Sequence, residues 1–138
     1  MRRDNLHQTL VFLGSVAIDR IPELATLAAS LRTSAFKLEF GVTGYWRHNR
    51  IVWVAPHTTP EPLLALVAEL EQGLRQAGFK FDQRPYAPHL TLIRDARAPA
   101  RLPALTLAWK VAEFALVRSA RIEQGSRYEV IARGRLVS

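Results

Sequence analysis

One short pattern, His-x-Thr-Leu, occurs twice in this chain, at residues 7–10 and again at residues 89–92. With four histidines in the chain, the chance that two of them are followed by Thr two places later is roughly 2%, and the shared Leu lowers it further. In an extended strand, side chains alternate between two faces, so the His and the Thr of each copy point to the same side. The repeat therefore predicts two strands that each present an imidazole and a hydroxyl, and we expect both to face one cleft.

The hydrophobic patterns around the two copies predict an α+β fold with mostly antiparallel sheet in two related halves. The predicted elements are a buried strand over 6–13, a helix opening near Asp19, a strand over 35–40, a turn bracketed by Gly41 and Gly44, a strand over 50–55, a helix from Thr58 to a stop at Gly78, the second motif strand over 84–94, and strands near 105–111, 114–118 and 128–132.

Composition limits the class of protein. Hydrophobic residues make up 49% of 138 positions, which is enough for the core of one domain. There is no Cys, so disulfides, a thiolate nucleophile and cysteine metal sites are excluded. The sequence has no apolar run long enough to span a membrane and no apolar signal core near Met1, so we expect a cytoplasmic protein.

Arginine dominates the positive charge of the chain. The net charge is +7, and 16 of the 19 basic residues are Arg. A planar guanidinium holds a phosphate through two hydrogen bonds, so such a surface favours polyanions such as nucleic acid. An ordinary solvated surface rich in arginine gives the same balance, so charge alone leaves both interpretations open.

Two imidazoles on either side of one phosphate suit acid–base chemistry on a phosphoester. One neutral imidazole removes a proton from the attacking oxygen, and the other, when protonated, donates to the leaving oxygen. The hydroxyls of Thr9 and Thr91 can donate to the non-bridging oxygens, where negative charge accumulates. The candidate catalytic residues are therefore His7 and His89.

Arg94 is the candidate phosphate clamp. In an ideal strand it points to the side of Leu92, so it reaches the cleft only if the strand ends or bulges at Ile93. Arg84, at the other end of the second motif, is a weaker candidate.

Two alternatives compete with this chemistry. Two histidines can ligate zinc or manganese, but a third or fourth ligand is usual, and the chain has no His-Glu-x-x-His or clustered Asp pattern. Two buried histidines bonded to core groups would leave the repetition unexplained. We therefore predict no metal and no cofactor.

The remaining histidines and three aromatic residues have ordinary interpretations. His48 and His57 lack a Thr partner, and we expect both in loops. Tyr45, Trp46 and Tyr86 can either stack on a nucleobase or pack in the core.

With these residues the sequence resembles the RNA 2',3'-cyclic phosphodiesterases (LigT-like, also called 2'-5' RNA ligases) among the two-histidine phosphoesterases. The matching segments are residues 4–14, 84–92 and 94–96, and the similarity continues through Val52-Trp53 and the second predicted helix to the strand at Tyr128.

The resemblance implies a bilobal fold whose two sheets line a central cleft, with helices packed outside. It implies metal-independent hydrolysis of a terminal RNA 2',3'-cyclic phosphate to a 2'-phosphomonoester, and a reversible 2'-5' ligation. It also implies that His7 donates a proton, that His89 accepts one, and that Thr9 and Thr91 bind the phosphate. The implied partners are RNA 2',3'-cyclic phosphate ends or cyclic nucleotides, and no membrane.

Two departures from the family accompany the resemblance. Family members begin with a strand and a helix before the first motif, whereas six residues precede His7 here, so we expect a single two-lobed domain over 1–138 without them. A sheet edge left exposed invites pairing, so a dimer through that edge is the alternative to the expected monomer. Gln8 is polar where the family favours an apolar residue.

Two other functions stay open beside the cyclic phosphodiesterase. One is a non-catalytic module that binds RNA ends in the same cleft. The other is a related two-histidine enzyme that acts on small cyclic nucleotides or on ADP-ribose cyclic phosphate.

Overall fold

The structure is a computed structural model, and it describes residues 6–123 and 125–137. A 3-10 turn, Ile18–Arg20, leads into the first element, and the elements are α1 (Ile21–Ser30), β1 (Phe36–Trp46), β2 (Ile51–Pro56), α2 (Glu61–Gln76), β3 (Leu90–Ile93), β4 (Leu107–Val111), β5 (Glu113–Ile122) and β6 (Gly125–Arg135). Four strands form one antiparallel sheet in the order β3-β2-β1-β4, and β5 and β6 form a second. The predicted α+β fold with two antiparallel sheets is confirmed.

The core of the four-stranded sheet follows from strict alternation in β1. Phe36, Leu38 and Phe40 are buried, whereas Lys37 and Glu39 between them are exposed. The buried face packs against α2, which contributes Leu63, Leu66 and Val67 to the same cluster. Since each of these side chains leaves water on folding, the packing of α2 on this face stabilises the sheet.

The second sheet packs against α1. A smaller cluster joins Leu24 of α1, Leu74 of α2 and Phe81, with Leu116 of β5 against it. The segment after β6 returns to the first half of the chain, where Val137 pairs with Ser34 in a parallel bridge. In the described part of the chain, neither helix is long and apolar enough to cross a membrane.

The first motif does not form the strand predicted over residues 6–13. This segment pairs with no strand among the described residues. A backbone hydrogen bond of 2.9 Å, from the amide of Asp82 to the carbonyl of Phe12, connects it to the segment before the second motif. The second motif strand is also shorter than predicted, because only Leu90–Ile93 pairs with β2. Pro85 and Pro88 have no amide hydrogen to give to a ladder, so the residues before Leu90 stay irregular.

The turn predicted between Gly41 and Gly44 is wrong, since β1 continues through both glycines and the chain turns at residues 47–50. Gly44 pairs with Trp53 of β2, and a Cβ placed on Gly44 would collide with Cζ2 of that indole ring. Glycine is therefore needed at this position for the close approach of the ring, and not for a turn.

We expect Gly44→Ala to lower the free energy of unfolding by about 1–3 kcal/mol, because the half-buried Trp53 ring must shift within a packed sheet. Urea unfolding followed by circular dichroism measures this change. Gly41→Ala is the matched control: its Cβ would meet the imidazole of His57, which is exposed and free to rotate away. Equal losses in the two variants would contradict the explanation.

Candidate active site

The two motif copies come together at one pocket. The pocket has a volume of about 450 Å³, and His7, Thr9, His89 and Thr91 all line it. Arg94 lies in the same wall. All five residues singled out from the sequence therefore share one space, although the two copies lie at opposite ends of the first 94 residues.

The second copy is held by β3 and its pairing with β2. Thr91 lies opposite Trp53 in the ladder and is 9% exposed. Nδ1 of His89 lies 2.9 Å from the carbonyl oxygen of Ala87. Because a carbonyl only accepts, Nδ1 carries the hydrogen, and in the neutral ring Nε2 keeps the lone pair. This arrangement leaves Nε2 of His89 able to accept a proton.

The first copy is positioned by side chains, since it has no ladder. His7 is exposed, and its ring lies edge-on to Tyr128 of β6, with 4.8 Å between centroids and 63° between planes. Gln8, the next residue, does not line the pocket, and its Nε2 donates to the hydroxyl of Tyr86 at 3.1 Å. Alternation in this extended segment thus sends His7 and Thr9 to the pocket and Gln8 to the segment that precedes the second motif.

Arg94 reaches the pocket because β3 ends at Ile93. The ladder with β2 shifts register between Val52 and Trp53, and the backbone takes a positive φ of 52° at Asp95. The strand therefore ends at Ile93, as the sequence analysis required for Arg94 to reach the cleft. Arg94 lines the pocket and does not follow the face of the strand that carries Leu92.

Arg84 also borders the pocket, but its guanidinium is paired. It donates from Nε to both carboxylate oxygens of Asp82, at 3.0 and 2.9 Å. These hydrogen bonds hold the pKa of Asp82 below its ordinary value. The Arg84 guanidinium is thus already engaged by a carboxylate, and its rank below Arg94 as a phosphate ligand stays a prediction.

Supporting rings from distant elements complete the site, and sequence reasoning found only part of them. Trp46 lies edge-on to His89, with centroids 4.6 Å apart and planes at 75°. His48, expected as an ordinary loop residue, does lie on a turn but lines the pocket near Trp46. Nothing in the local pattern around Tyr128 indicated its contact with His7, because that contact joins the two ends of the chain.

Within residues 6–123 and 125–137, no three His, Asp or Glu side chains are close enough together to hold a metal ion.

The hydroxyl of Tyr86 supplies a pH-dependent prediction. Burial raises the pKa of Tyr86 to about 12, against the smaller lowering effect of the bond from Gln8. Since the unfolded phenol titrates near pH 10, the stability from this group is complete below pH 10 and is lost as the pH rises toward 12. Allowing for the partial exposure of the ring, the loss is about 1–2 kcal/mol.

We expect Tyr86→Phe to be less stable than the original chain by about 1–2 kcal/mol near pH 8, because Gln8 loses its hydrogen-bond partner. This difference in free energy of unfolding should narrow by a similar amount near pH 11.5, because only the original chain must keep a buried phenol protonated there. Urea unfolding of both proteins at both pH values measures the difference, and a difference independent of pH would contradict this explanation. Tyr45→Phe is the matched control, since that hydroxyl donates instead to the carbonyl of Ala96 at 2.8 Å.

Comparison with known proteins agrees with this fold. The sequence model of the 2'-5' RNA ligase superfamily matches residues 1–123. An RNA 2',3'-cyclic phosphodiesterase from Escherichia coli (strain K12) is 34% identical over 132 residues, which is 94% of this chain and 75% of that protein. The Methanocaldococcus jannaschii protein of the same name is 30% identical over 95 residues, and the match spans 68% of this chain and 53% of that protein.

Solved structures give the same result. E. coli LigT in its apo form superposes with a TM-score of 0.90 at 32% identity, over 100% of this chain and 80% of that one. LigT complexed with 3'-AMP superposes with a TM-score of 0.88 at 33% identity, over 98% and 79% of the two chains. The sequence match over most of the chain and these superpositions show that the chain belongs to the 2'-5' RNA ligase superfamily.

Proposed function

We propose that this chain hydrolyses a terminal RNA 2',3'-cyclic phosphate to a 2'-phosphomonoester, with His7 and His89 as the acid–base pair. The observation that supports this most strongly is the shared pocket: two imidazoles and two hydroxyls line one space of nucleotide size. The relatives named above carry the corresponding activity in their names.

The attack step uses the neutral ring of His89. Nε2 takes a proton from a water molecule as the water oxygen bonds to phosphorus. The positive charge that forms on the ring is stabilised by the bond from Nδ1 to the carbonyl of Ala87, which a cationic donor strengthens. That bond also restrains the orientation of the ring during the step.

The leaving step uses the charged ring of His7. As the bond between phosphorus and O3' breaks, the imidazolium donates its proton to O3', and the 2'-phosphate remains. Thr9 and Thr91 donate to the non-bridging oxygens, and the guanidinium of Arg94 offsets their charge. With a 5'-hydroxyl in place of water, the same steps join two RNA ends through a 2'-5' linkage, and the two imidazoles exchange roles in reverse.

One experiment separates this proposal from its alternatives. An RNA that ends in a 2',3'-cyclic phosphate is incubated with the chain in excess EDTA, and the product is identified. We expect full turnover to the 2'-phosphate. Binding without turnover would indicate an RNA-end-binding module, and loss of activity that added metal restores would indicate a metal enzyme. Turnover of small cyclic nucleotides but not of RNA would favour the related enzyme class.

The monomeric state, the alternative dimer through an exposed sheet edge, and the cytoplasmic location stay predictions.

A further inference from the structure

We propose that two adjoining turns, residues 47–50 and 94–97, bind the RNA backbone on the 5' side of the nucleotide that carries the cyclic phosphate; this inference rests on the proposed function. We call these two turns the basic rim. They carry four arginines and one acidic residue, namely Arg47, Arg50, Arg94, Arg97 and Asp95. The ligand of the basic rim is the internal phosphodiester next to the reacting end, so the rim favours an RNA chain over a mononucleotide.

Hydrogen bonds join the two turns into one surface. The amide of Ala96 donates to the carbonyl of Arg50 at 2.9 Å, and the guanidinium of Arg50 donates to the carbonyl of Asp95 at 3.2 Å. The hydroxyl of Tyr45 donates to the carbonyl of Ala96 at 2.8 Å. A ligand that contacts cations of both turns therefore meets two segments that are already held together, which lowers the cost of ordering them on binding.

Each turn also holds one residue in the left-handed region of backbone conformation. The φ angle is 56° at Arg50 and 52° at Asp95, and no other described residue except glycine has a positive φ. A side chain in this region costs free energy, so such residues persist where the surrounding structure holds them, and they cluster at binding sites. These two residues are also the pair that the guanidinium bond connects, so the strained backbone lies at the junction of the two turns.

The arginines of the basic rim are not neutralised by neighbouring carboxylates. Four arginines elsewhere in the chain each form an ion pair with an aspartate or a glutamate: Arg20, Arg84, Arg118 and Arg133. In the part of the chain that the structure describes, no carboxylate pairs with an arginine of the rim, and Arg47 and Arg97 are exposed. Cations on adjoining turns repel one another, and a phosphate placed between them offsets this repulsion and accepts two hydrogen bonds from a guanidinium.

The position of the basic rim suits the next phosphate of an RNA chain. Arg94, His48 and Asn49 line the pocket of the two motif histidines. Arg47 and Arg97 belong to the same two turns but do not line it. The ribose that bears the cyclic phosphate is joined through its C5' to the preceding phosphodiester, which therefore lies one ribose away from the reacting phosphorus. The cations just outside the pocket are placed to meet this second phosphate.

The charge of the pocket wall favours this exit for the chain. Glu71 of α2 lines another part of the same pocket, and it pairs with no cation within the described ranges. A phosphodiester that passed this carboxylate would meet a charge of its own sign, whereas the basic rim presents the opposite charge. The RNA chain therefore leaves the pocket across residues 47–50 and 94–97.

The test uses two dinucleotides that differ in one charge. Both end in a 2',3'-cyclic phosphate, but the internal linkage is a phosphodiester in one and a neutral methylphosphonate in the other. The ratio of their kcat/KM values measures what the internal charge contributes, and it cancels any change in the chemical step. We expect this ratio to be about fivefold or more in the unchanged chain, because two exposed charge pairs together contribute about that much.

Arg47→Ala and Arg97→Ala should each lower the ratio, and the double variant should bring it close to one, mainly through a higher KM for the phosphodiester. Added salt should lower the ratio in the unchanged chain but not in the double variant. Replacing both arginines with glutamine keeps most of the side-chain length and serves as the test if the alanine variant fails to fold. Arg118→Ala is the matched control, since it also removes one exposed arginine, which pairs with Glu129 and does not line the pocket.

A ratio near one in the unchanged chain overturns the proposal, and so does a double variant that keeps the full ratio. An equal fall in Arg118→Ala also overturns it, because net charge alone would then explain the effect. If neither dinucleotide is hydrolysed, the proposed function has failed, and calorimetry decides this inference by itself with the two dinucleotides that end in a 2'-phosphate. Tighter binding of the phosphodiester that the double variant loses supports the basic rim, and equal binding of the two ligands refutes it.

Discussion

Replacing either His7 or His89 with alanine is expected to lower kcat for 2',3'-cyclic phosphate RNA by about 10²–10⁴-fold. Each imidazole moves one proton in the same transition state, so neither compensates for the other. The affinity for the 2'-phosphate product should change little, because the threonines and Arg94 still hold the phosphate. Steady-state kinetics and calorimetry with each variant measure the two effects.

The two variants should also differ in pH dependence. His89 must be neutral to accept a proton, so its loss removes the fall in rate at low pH. His7 must be charged to donate, so its loss removes the fall at high pH. The unchanged chain should show a bell-shaped profile, and a flat profile between about pH 5 and pH 8 would count against the pair.

A matched histidine variant tests whether a loss of activity comes from damage to the fold. His57 is exposed and does not line the pocket, so His57→Ala should keep the activity of the unchanged chain. If His57→Ala slows the reaction as much as His7→Ala does, the loss reflects damage to the fold and not removal of a catalytic group.

Thr91→Val is expected to lower kcat by about 10–100-fold while leaving the fold intact. Valine matches the shape of threonine at this nearly buried position but has no hydroxyl to donate to a phosphate oxygen. The effect is smaller than that of a histidine, because Thr9 and Arg94 still stabilise the charge. Single-turnover kinetics measure it without interference from product release.

Thr91→Ser is the matched control, since it restores the donor with one methyl group fewer. We expect it to recover most of the lost rate. Thr9→Val should act in the same direction, but less strongly, because Thr9 is exposed and water can replace its hydroxyl. A Thr91→Ser variant as slow as Thr91→Val would mean that the methyl group, and not the hydroxyl, is what matters.

Most of the candidate site could be predicted from the repeat of His-x-Thr-Leu. The alternation of side chains in an extended segment is a local property, so it predicts that His89 and Thr91 share one face without knowledge of the fold. It also sent Gln8 away from the pocket, even though residues 6–13 form no ladder. The same local alternation predicts that Arg94 reaches the cleft only if the strand ends or bulges at Ile93.

Contacts between distant segments cannot be predicted from such local patterns. The sequence predicts a turn at Gly41 and Gly44, because a glycine that bends the chain and a glycine that leaves room for a ring have the same local pattern. The partner of Gly44, Trp53, lies on another strand. Likewise, the pairing of His7 with Tyr128 depends on how β6 packs against the first segment, which no local pattern encodes.

The most direct measurement is a crystal structure of this chain with a nucleoside 2'-monophosphate, the product of the proposed reaction. We expect the phosphate inside the pocket, with Nε2 of His89 about 3 Å from a phosphate oxygen and Nε2 of His7 about 3 Å from O3', on the opposite side of the same phosphorus. A phosphate seated outside the pocket, or either Nε2 far from its oxygen, would contradict the proposed mechanism.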